Sequence, residues 1–451
     1  MSSEKEQLSP TDIAKHGMNY TPEQIAEMDQ KYILRAWKLV GEPVIVERGK
    51  GPRVWDIFGR EYIDCNSGLF CNNAGFSNPR VIEAIIAQAP KIYQLSMRHS
   101  NVPAVLLAEK LAEITPGRLD KTFYSTGGGE AVENAIKMVR SYTGKSEIIV
   151  LKNAYHGLSY GALSATSSSK YKQHFGPMLP GFLRAPSPYC YRCMFRREDC
   201  GLWCANEIEA IVEGSAVETV SECAEIGSVM IEPIQGSGGI IPPKGYLSRV
   251  QEICRRHNLV FVLDEIQTGF GRTGKMFASE HEGVEADIIL LSKNVGGGLP
   301  LGALVTTSPL AERFTTGTAS TLAANALACV AGLAAIQEIQ ERKLAENAAE
   351  MGTYLKDGFE NLVNRRFIGE AYFKGLMGGC EIVHDRQTKE PISGVEKEAL
   401  VNKLLEKGVM LSASGPLGNR FRVQPTLNLT RRDADQILRA FDEALHEVLV
   451  T

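Results

Sequence analysis

The sequence predicts an α/β protein with a mainly parallel sheet and a second, smaller domain. From about Lys121 to Pro309, short apolar runs rich in Val and Ile alternate with amphipathic segments. This pattern is typical of strands that helices cover on both faces. The chain has 451 residues, more than a single hydrophobic core usually supports, so we expect two domains or one large domain with a satellite.

Strands and helices are assigned in order along the chain. Strands are predicted at residues 121–125, 147–151, 227–231, 259–264 and 287–291, and the pattern becomes helical from 323 to 339. The tail mixes the Gly-rich strand KGLMGGCEIV with helices, and the last helix opens at Thr430 with a sequence like a capping box. The predicted domains are an N-terminal segment at 1–80 that joins the small domain, a large domain at 81–329 and a C-terminal small domain at 330–451.

Composition and charge exclude several classes of function. The net charge of −4 lacks the basic excess needed to neutralise phosphate backbones, so we expect no nucleic acid partner. No run of about 18 apolar residues occurs, and the N-terminus lacks the apolar stretch of a secretory signal, so neither membrane insertion nor export is expected. Ten cysteines in such a chain are typical of reduced thiols, and we expect a cytoplasmic protein.

A glycine turn in YSTGGGEAVENAIKMVR follows the first of these predicted strands and precedes a helix. Gly127, Gly128 and Gly129 let a phosphate approach the backbone without a Cβ in the way, and the N–H groups of a helix N-terminus favour an anion. The turn therefore predicts a phosphate site. Tight connections also use glycine, so a purely structural turn is an equal alternative at this point.

Two charged residues follow later strands of the predicted sheet. Asp264 ends the run LVFVLD and Lys293 follows the run DIILLS. Taken alone, Asp264 is more typical of a helix cap and Lys293 of a solvated lysine. Their separation of 29 residues (293 minus 264) suits one strand, helix, strand excursion, which brings both side chains to the edge where ligands collect in open α/β sheets. A phosphate site, a carboxylate and a lysine in one cleft are what pyridoxal 5'-phosphate requires.

The stretch DEIQTGFGRTGKMFASEHEGVEADIILLSKNVGGGLPLGA resembles the signature of the class III, or omega, aminotransferases of fold type I, and the resemblance extends from about Ile45 to the C-terminus. It implies a large domain with a mainly parallel seven-stranded sheet, a small α+β domain formed by both termini, and pyridoxal 5'-phosphate as cofactor. It also implies that Lys293 forms the Schiff base with the cofactor, that Asp264 pairs with the pyridine nitrogen, and that Gln267 lies near the ring hydroxyl.

Four further motifs are similar to those of the family. NAYHG implies that Tyr155 stacks on the cofactor ring with His156 beside it. IEPIQGSGG implies that Glu232 is an active-site carboxylate near the cofactor hydroxyl and a partner for a substrate-binding arginine. ASTLAANALACVAG implies that Thr321 reaches the phosphate of the neighbouring subunit's cofactor, hence an obligate homodimer with shared active sites, or a tetramer. FRVQPTLNLT implies that Arg422 grips the substrate carboxylate. Without the neighbouring motifs, a core tyrosine, a solvated glutamate and a surface arginine are the alternatives.

Two features depart from the family pattern. The phosphate site has three glycines, whereas most relatives have Ser-Gly-Thr there. A site with glycines in these positions is similar to that of taurine or β-alanine pyruvate aminotransferases. A second stretch, PYCYRCMFRREDCGLWCANE, has a C-x2-C-x6-C-x3-C pattern formed by Cys190, Cys193, Cys200 and Cys204. Four thiolates could bind zinc or hold an iron–sulfur cluster, but free thiols or a local redox pair are favoured, and no metal ligand is assigned.

The predicted reaction transfers an amino group from an ω- or β-amino acid or an amine to a 2-oxo acid, pyruvate or 2-oxoglutarate. The mechanism is ping-pong, with Lys293 as leaving group, base and acid. A β-aminoacyl thioester is an alternative donor, and the fold also supports epimerases, mutases, decarboxylases and lyases. A non-enzymatic, metal-sensing protein built on the cysteine cluster is an alternative of another class. Pocket walls are expected from loops such as 68–73 and 93–99.

Overall fold

The computed structural model describes residues 20–36, 44–95, 98–196, 199–214, 225–315 and 318–450. The strands are β1 (Val46–Lys50), β2 (Arg53–Asp56), β3 (Glu61–Asp64), β4 (Lys121–Ser125), β5 (Glu147–Leu151), β6 (Phe182–Ala185), β7 (Ile226–Ile231), β8 (Val260–Asp264), β9 (Ile288–Leu291), β10 (Gly302–Thr306), β11 (Ile368–Lys374), β12 (Met377–Asp385), β13 (Glu390–Pro391), β14 (Val409–Met410), β15 (Ser412–Ser414) and β16 (Arg420–Val423).

The α-helices are α1 (Pro22–Tyr32), α2 (Pro79–Gln88), α3 (Val102–Ile114), α4 (Gly128–Thr143), α5 (Tyr160–Ala165), α6 (Trp203–Val212), α7 (Tyr246–Arg256), α8 (Ser308–Arg313), α9 (Ala326–Glu341), α10 (Leu344–Glu360), α11 (Gly394–Glu406) and α12 (Arg431–Leu449). Short 3-10 helices lie at Ser169–Tyr171, Cys190–Arg192, Ala278–His281, Lys293–Gly296 and Arg365–Phe367, and Ser67–Phe70 forms one left-handed turn.

The central sheet has seven strands in the order β4-β10-β9-β8-β7-β5-β6. β10 pairs antiparallel with β4 and β9, and the remaining pairs are parallel. Every residue of β7, β8, β9 and β10 is buried, because helices cover both faces of the sheet. The predicted α/β fold with a mainly parallel seven-stranded sheet is therefore confirmed.

The predicted strands agree with the observed ones to within one residue. β4 and β5 have the predicted bounds, while β7 begins one residue earlier and β8 and β9 one residue later than expected. The prediction omitted β6 and β10, of four and five residues. β6, with the sequence FLRA, is only partly buried and contains an arginine, so it lacks the apolar run of a strand covered on both faces. β10, with the sequence GALVT, directly follows the glycine-rich segment NVGGGLPL, which is typical of a loop.

The connection between β8 and β9 corrects one prediction. The expected helix between Asp264 and Lys293 was wrong, because this fully described stretch contains turns and the 3-10 helix Ala278–His281 instead. Gly271 and Gly274 adopt positive φ angles of 86° and 90°, which a right-handed helix excludes. The connection remains parallel, so the ends of β8 and β9 still meet at one edge.

Two helix starts follow from their capping residues. α9 begins at Ala326, three residues later than predicted, because the Asn325 side chain accepts hydrogen bonds from the backbone N–H groups of Leu327 and Ala328. α12 begins after Thr430, whose hydroxyl accepts from Asp433 N while the Asp433 carboxylate accepts from Thr430 N at 3.0 Å. The predicted capping box is confirmed.

Both ends of the chain build the smaller part of the fold. The N-terminal strands β1, β2 and β3 form an antiparallel sheet, to which the C-terminal β14 adds in parallel through Val409 opposite Ile63. A second sheet has the order β11-β12-β16-β15, with β13 paired to β12. The domain boundaries at residues 80 and 329 stay predictions.

Candidate active site

A cavity of about 250 Å³ opens at the carboxyl ends of the central strands. It collects residues from the segments that follow β4, β5, β7, β8 and β9, which is the edge where open α/β sheets bind ligands. Its lining comprises Gly128, Gly129, Tyr155, His156, Gly157, Leu158, Glu232, Ile234, Asp264, Ile266, Gln267, Ser292 and Lys293. Eight of the residues predicted for the site are therefore brought together.

The glycine turn leads directly into α4, with Gly127 as its N-cap. A Cβ at Gly127 would meet no atom within 4 Å, whereas one at Gly128 would lie 3.0 Å from Ile266 Cδ1. The first backbone N–H groups of this 16-residue helix thus face the cavity without side chains in the way. Thr126 precedes the turn, and its hydroxyl donates to the Glu130 carboxylate at 2.7 Å, so this hydroxyl is not available to an anion. The donors that remain at the anion site are mainly backbone N–H groups.

Asp264 ends β8 and is held by two donors. His156 Nδ1 lies 2.8 Å from Asp264 Oδ2, and Ile266 N donates to Asp264 Oδ1 at 3.1 Å. Burial opposes protonation of His156, but the hydrogen bond and charge of Asp264 outweigh it and raise the pKa of His156. The resemblance placed His156 only beside Tyr155, so this pair between two segments of the sheet edge is an addition of the structure.

Glu232 directly follows β7, and its buried side chain lines the same cavity. Its carboxylate accepts from Tyr155 N at 3.0 Å and Gly236 N at 2.7 Å. Burial raises the pKa of Glu232, and the negative charge of Asp264 raises it further against the opposing charge of His156. No ion pair between Glu232 and Arg422 forms among the described residues, so that part of the expectation is not met in this chain.

Lys293 follows β9 with a φ of +51°, a left-handed conformation that is unusual for a residue with a side chain. Its Nζ lies 3.5 Å from Gln267 Oε1, and no carboxylate stands within ion-pair distance of it in the described residues. Burial lowers the pKa of Lys293 despite the attraction of Asp264. A larger fraction of the amine is therefore neutral near pH 7 than for an ordinary lysine.

Arg422 lies on β16, outside the lining of the cavity but next to it. One nitrogen donates to Ser412 Oγ at 2.6 Å, and the guanidinium carbon is 4.8 Å from the centre of the Phe70 ring. The same ring lies 5.9 Å from Lys293 Nζ. Burial lowers the pKa of Arg422, which has no carboxylate partner in the described chain and is poised for an anion.

The sequence prediction missed Phe70, Ser412 and Gln424. Phe70 lies in the left-handed turn that starts at Ser67, within the loop expected as a pocket wall. Gln424 accepts a hydrogen bond from Gln267 Nε2 at 2.7 Å and so fixes the amide that faces Lys293. The segment GLFCNN was a signal for Phe70, but nothing in it indicates which aromatic or amide points inwards.

Tyr155 and Thr321 have different surroundings. Tyr155 packs edge-to-face against Tyr171 with ring centres 5.2 Å apart, and burial raises the pKa of its hydroxyl to about 12. Thr321 is exposed, and its backbone oxygen accepts from Gln94 Nε2 at 2.9 Å. It does not line the cavity of its own chain, so its role depends on a second subunit and stays a prediction.

The fold and this constellation define a class of protein. The family model for class III aminotransferases matches residues 38–445, and the chain belongs to this family. Class III aminotransferases depend on pyridoxal 5'-phosphate, and so does this enzyme. No helix in the described part of the chain is long and apolar enough to cross a membrane.

The relatives to which this chain is similar are named for different activities. The chain is 35% identical over 419 residues to an acetylornithine aminotransferase of Methanothermobacter thermautotrophicus, covering 92% of this chain and 96% of the relative. It is 34% identical to a leucine/methionine racemase of Thermococcus litoralis, covering 94% and 96%. Among solved structures, an (S)-enantioselective omega-transaminase from Thermomicrobium roseum is similar with a TM-score of 0.88 at 30% identity, covering 95% of this chain and 99% of that one.

The residues present fit the cofactor. The open helix N-terminus at Gly127 suits its phosphate, Asp264 suits a protonated ring nitrogen, and the amine of Lys293 suits its aldehyde. The buried Nε2 of His156 has no hydrogen-bond partner among the described residues, which leaves polar capacity beside the ring site.

Proposed function

We propose that the enzyme transfers an amino group from an ω- or β-amino acid, or a simple amine, to pyruvate or 2-oxoglutarate in a ping-pong cycle. One observation carries the proposal. The Lys293 amine, whose pKa is lowered by burial, lines a cavity with Asp264 on one side and Arg422 nearby, so a base, a ring partner and a carboxylate binder serve one pocket.

Lys293 is the proposed proton carrier. Bound pyridoxal phosphate supplies the electron sink for the breaking C–H bond. The neutral Lys293 Nζ would take the proton of the donor carbon and would hold it in the cavity for its return later in the cycle. Gln267 limits the positions of Nζ through the 3.5 Å contact, and its own amide is held by Gln424.

Arg422 is the proposed anchor of the 2-oxo acid. Its guanidinium is half-buried and donates to the neutral Ser412 hydroxyl, so an incoming carboxylate can use the remaining donors. The buried Phe70 ring lies 4.8 Å from the guanidinium carbon of Arg422 and 5.9 Å from Lys293 Nζ, so it is packed close to both the anchor and the reacting amine.

A homodimer with shared sites is also part of the proposal. α2 and α3 expose apolar side chains, and their contact with water is unfavourable in a monomer. Ile86 is 66% exposed and Val102 is 71% exposed. The other exposed apolar residues of these helices are Ile82, Val105 and Leu106. Leu322, beside Thr321, is 59% exposed as well. A second copy covering this surface would bring Thr321 towards the neighbouring phosphate site. The cytoplasmic location stays a prediction.

Racemisation is the second candidate. A relative named leucine/methionine racemase is 34% identical over 432 residues, and a racemase uses the same lysine, phosphate site and ring carboxylate. In that reaction the proton returns to the donor carbon from the opposite face, and no oxo acid is consumed. Incubation of a single enantiomer without an acceptor separates the two, because only a racemase would produce the mirror image catalytically.

The test is a donor panel against pyruvate and 2-oxoglutarate, with taurine, β-alanine, 4-aminobutyrate, a β-aminoacyl thioester and simple amines as donors. We expect turnover with at least one of these donors and none with Lys293→Ala. Borohydride reduction of the holoenzyme should fix a pyridoxyl group on the peptide that contains Lys293. Turnover retained in Lys293→Ala, or a pyridoxyl group on another lysine, would contradict the proposal.

A further inference from the structure

The Gln424 side chain is completely buried next to the active site, although it does not line the cavity. Gln424 directly follows β16, and its backbone joins the segment after β3. Gln424 N donates to Cys65 O at 2.8 Å, and Ser67 Oγ donates to Gln424 O at 2.9 Å. Both contacts use main-chain atoms of Gln424, so they remain when the side chain is replaced. The carboxamide is therefore not needed to anchor this segment.

The carboxamide of Gln424 makes a single hydrogen bond among the described residues. Its Oε1 accepts from Gln267 Nε2 at 2.7 Å, whereas its Nε2 is buried without a partner. A buried donor without a partner lowers the stability of a protein, and an apolar side chain of similar size would avoid that cost. Stability alone therefore does not account for a glutamine here. The one contact that the amide makes is with a residue that lines the active-site cavity.

The Gln267 amide lies between Gln424 and Lys293, and its two ends have different neighbours. Its nitrogen donates to Gln424, and its Oε1 lies 3.5 Å from Lys293 Nζ. Gly236 borders the oxygen on another side, because a Cβ at this position would stand 2.4 Å from Gln267 Oε1. The nitrogen and oxygen of Gln267 can exchange places only if the contact with Gln424 is lost or the Gln424 amide turns over as well.

The orientation of the Gln267 amide matters for the direction of the Lys293 lone pair. A neutral amine that donates an N–H to the Gln267 oxygen has its lone pair directed away from that oxygen. With the Gln267 nitrogen in this place, the amide would donate to the lone pair, and the amine could not take a proton from the donor carbon. Protonated Lys293 has only donors, so it also requires the oxygen. Both protonation states of the lysine therefore work with the oxygen facing Nζ.

We propose that Gln424 is a positioning residue for proton transfer, whose amide oxygen holds the Gln267 nitrogen and keeps the Gln267 oxygen turned towards the Lys293 amine. This inference rests on the proposed function of Lys293 as the proton carrier. Gln424 does not touch the reacting atoms and acts only through Gln267. Its replacement should therefore impair proton transfer and leave Arg422, the proposed anchor of the 2-oxo acid, in place.

Other groups around the cavity also act on the pKa of Lys293, and replacing Gln424 leaves all of them in place. Burial lowers this pKa, and the positive charge of Arg422 on β16 lowers it further. The groups that raise it lie after β8, after the left-handed turn at Ser67 and after β7, and they are Asp264, Cys71 and Glu232. A change in the pKa of Lys293 on replacement of Gln424 therefore reports on the Gln267 amide.

The first experiment measures the pKa of Lys293 in the full-length, cofactor-free protein, from the pH dependence of its acetylation by acetic anhydride, followed by mass spectrometry. Gln424→Met should lower this pKa by about 0.5–1 unit. The reason is that the Gln267 nitrogen has no partner in this variant while its oxygen faces the ammonium group, whereas the neutral amine tolerates either orientation of the amide. Gln424→Glu keeps an acceptor oxygen and should not lower the pKa.

The second experiment uses the holoenzyme and the donor of the panel with the highest turnover. We expect Gln424→Met to lower kcat by about 3- to 10-fold, with the KM for the 2-oxo acid nearly unchanged. The kinetic isotope effect of a donor deuterated at the reacting carbon should increase, because proton transfer becomes slower relative to the other steps. Gln424→Glu should restore most of the activity. Gln424→Leu takes the place of Gln424→Met if the methionine variant does not fold.

A double-mutant cycle tests whether Gln424 acts through Gln267. In the Gln267→Leu background, Gln424→Met should cause no further change in kcat or in the pKa of Lys293. Gln251→Met is the matched control, since Gln251 is a buried glutamine on α7 whose Nε2 donates to Glu285 O at 2.5 Å. This control loses a buried amide hydrogen bond outside the lining of the cavity, so it should change neither the isotope effect nor the pKa.

Three results would contradict this role of Gln424. An unchanged Lys293 pKa and isotope effect in folded Gln424→Met would mean that the amide does not orient Gln267. A loss that adds in full in the Gln267→Leu background would show that Gln424 acts by another route. Equal losses in Gln424→Met and Gln251→Met would indicate a general effect of a lost buried amide. If no donor of the panel reacts, the proposed transamination is wrong, whereas the pKa measurement in the cofactor-free protein still decides on the role of Gln424.

Discussion

His156 Nδ1 lies 2.8 Å from Asp264 Oδ2, and both side chains are almost completely buried. The two residues are 108 positions apart, so the turn after β5 and the end of β8 are joined by this one side-chain contact. Because the second oxygen of Asp264 accepts from Ile266 N, the carboxylate cannot rotate freely. The two contacts thus fix the orientation of the Asp264 carboxylate at the edge of the cavity.

The pair predicts a pH dependence of stability in the cofactor-free protein. The folded-state pKa of His156 is raised above its ordinary value of 6.5. A raised pKa contributes stability that is fully present below the unfolded-state pKa and is lost as the pH rises through the folded-state pKa. We expect the free energy of unfolding of the wild type, relative to His156→Gln, to fall across that range when urea unfolding is followed at a series of pH values.

The comparison with His156→Gln is needed because neighbouring groups also titrate. The pKa of Glu232 is raised, which acts in the same direction, whereas the pKa of Lys293 is lowered, which acts in the opposite direction. Both remain in the variant. The contribution of Lys293 largely cancels in the difference, whereas the pKa of Glu232 rises further when the opposing charge of His156 is removed, so the Glu232 carboxyl is followed separately in the same series. A difference that does not change with pH would show that His156 stays neutral.

Arg422 yields a prediction about the acceptor. Hydrogen bonds to charged groups contribute about 1.5–3 kcal/mol, and each 1.4 kcal/mol is tenfold, so Arg422→Met should lower kcat/KM for the 2-oxo acid by about 10- to 100-fold. Steady-state kinetics with pyruvate and 2-oxoglutarate measure this. An amine donor without a carboxylate should react nearly as before in the first half-reaction.

Ser412→Ala is the control for Arg422, because it removes the neutral hydroxyl that accepts from the guanidinium and leaves the charge in place. We expect less than a tenfold change in kcat/KM for the acceptor. Equal losses for amine donors and oxo acids in Arg422→Met would mean that the residue supports the fold rather than the carboxylate.

The central sheet and the meeting of Asp264 with Lys293 could be predicted from the sequence. Apolar runs define buried strands, and the carboxyl ends of parallel strands share one edge, so the two residues converge even though the helix expected between them is absent from the described structure. No such rule predicts the contact between His156 and Asp264, because this contact depends on the exact path of the turn after β5.

The position of Phe70 could not be predicted either. Ser67, Leu69 and Phe70 have positive φ angles of 42°, 63° and 69° without being glycine. Each residue in this region costs about 1–2 kcal/mol, so a sequence of this kind favours another local conformation. The turn exists because tertiary contacts outweigh that cost, and these contacts join segments that are distant in the sequence.

Arg272 makes the central tertiary contacts that hold the turn at Ser67. Its side chain is fully buried and donates to Leu376 O and Pro425 O, at 3.1 and 2.5 Å, and to Ser67 Oγ at 3.1 Å. Arg272→Lys cannot reproduce the planar fork, so acceptors lose their donors in a buried site. We expect destabilisation by about 2–4 kcal/mol, measured by denaturant unfolding.

Arg255→Lys is the matched control for this change. Arg255 is exposed on α7, and surface substitutions of this kind usually alter stability by less than about 0.5 kcal/mol. If Arg272→Lys changed the free energy of unfolding no more than Arg255→Lys, the buried guanidinium would not be what holds the turn at Ser67.

The backbone of Lys293 allows strain at the active site to be measured separately from chemistry. Its φ of +51° favours glycine, whereas alanine pays a steric cost of about 1–2 kcal/mol in this region. Lys293→Gly and Lys293→Ala both remove the amine and should both abolish turnover. In most positions alanine is the more stable of the two, but here we expect the glycine variant to be more stable by up to about 1 kcal/mol in urea unfolding of the cofactor-free proteins. An alanine variant of equal or greater stability would mean that the chain relaxes to a right-handed conformation once the lysine is gone, and that the left-handed backbone is imposed by the side chain itself.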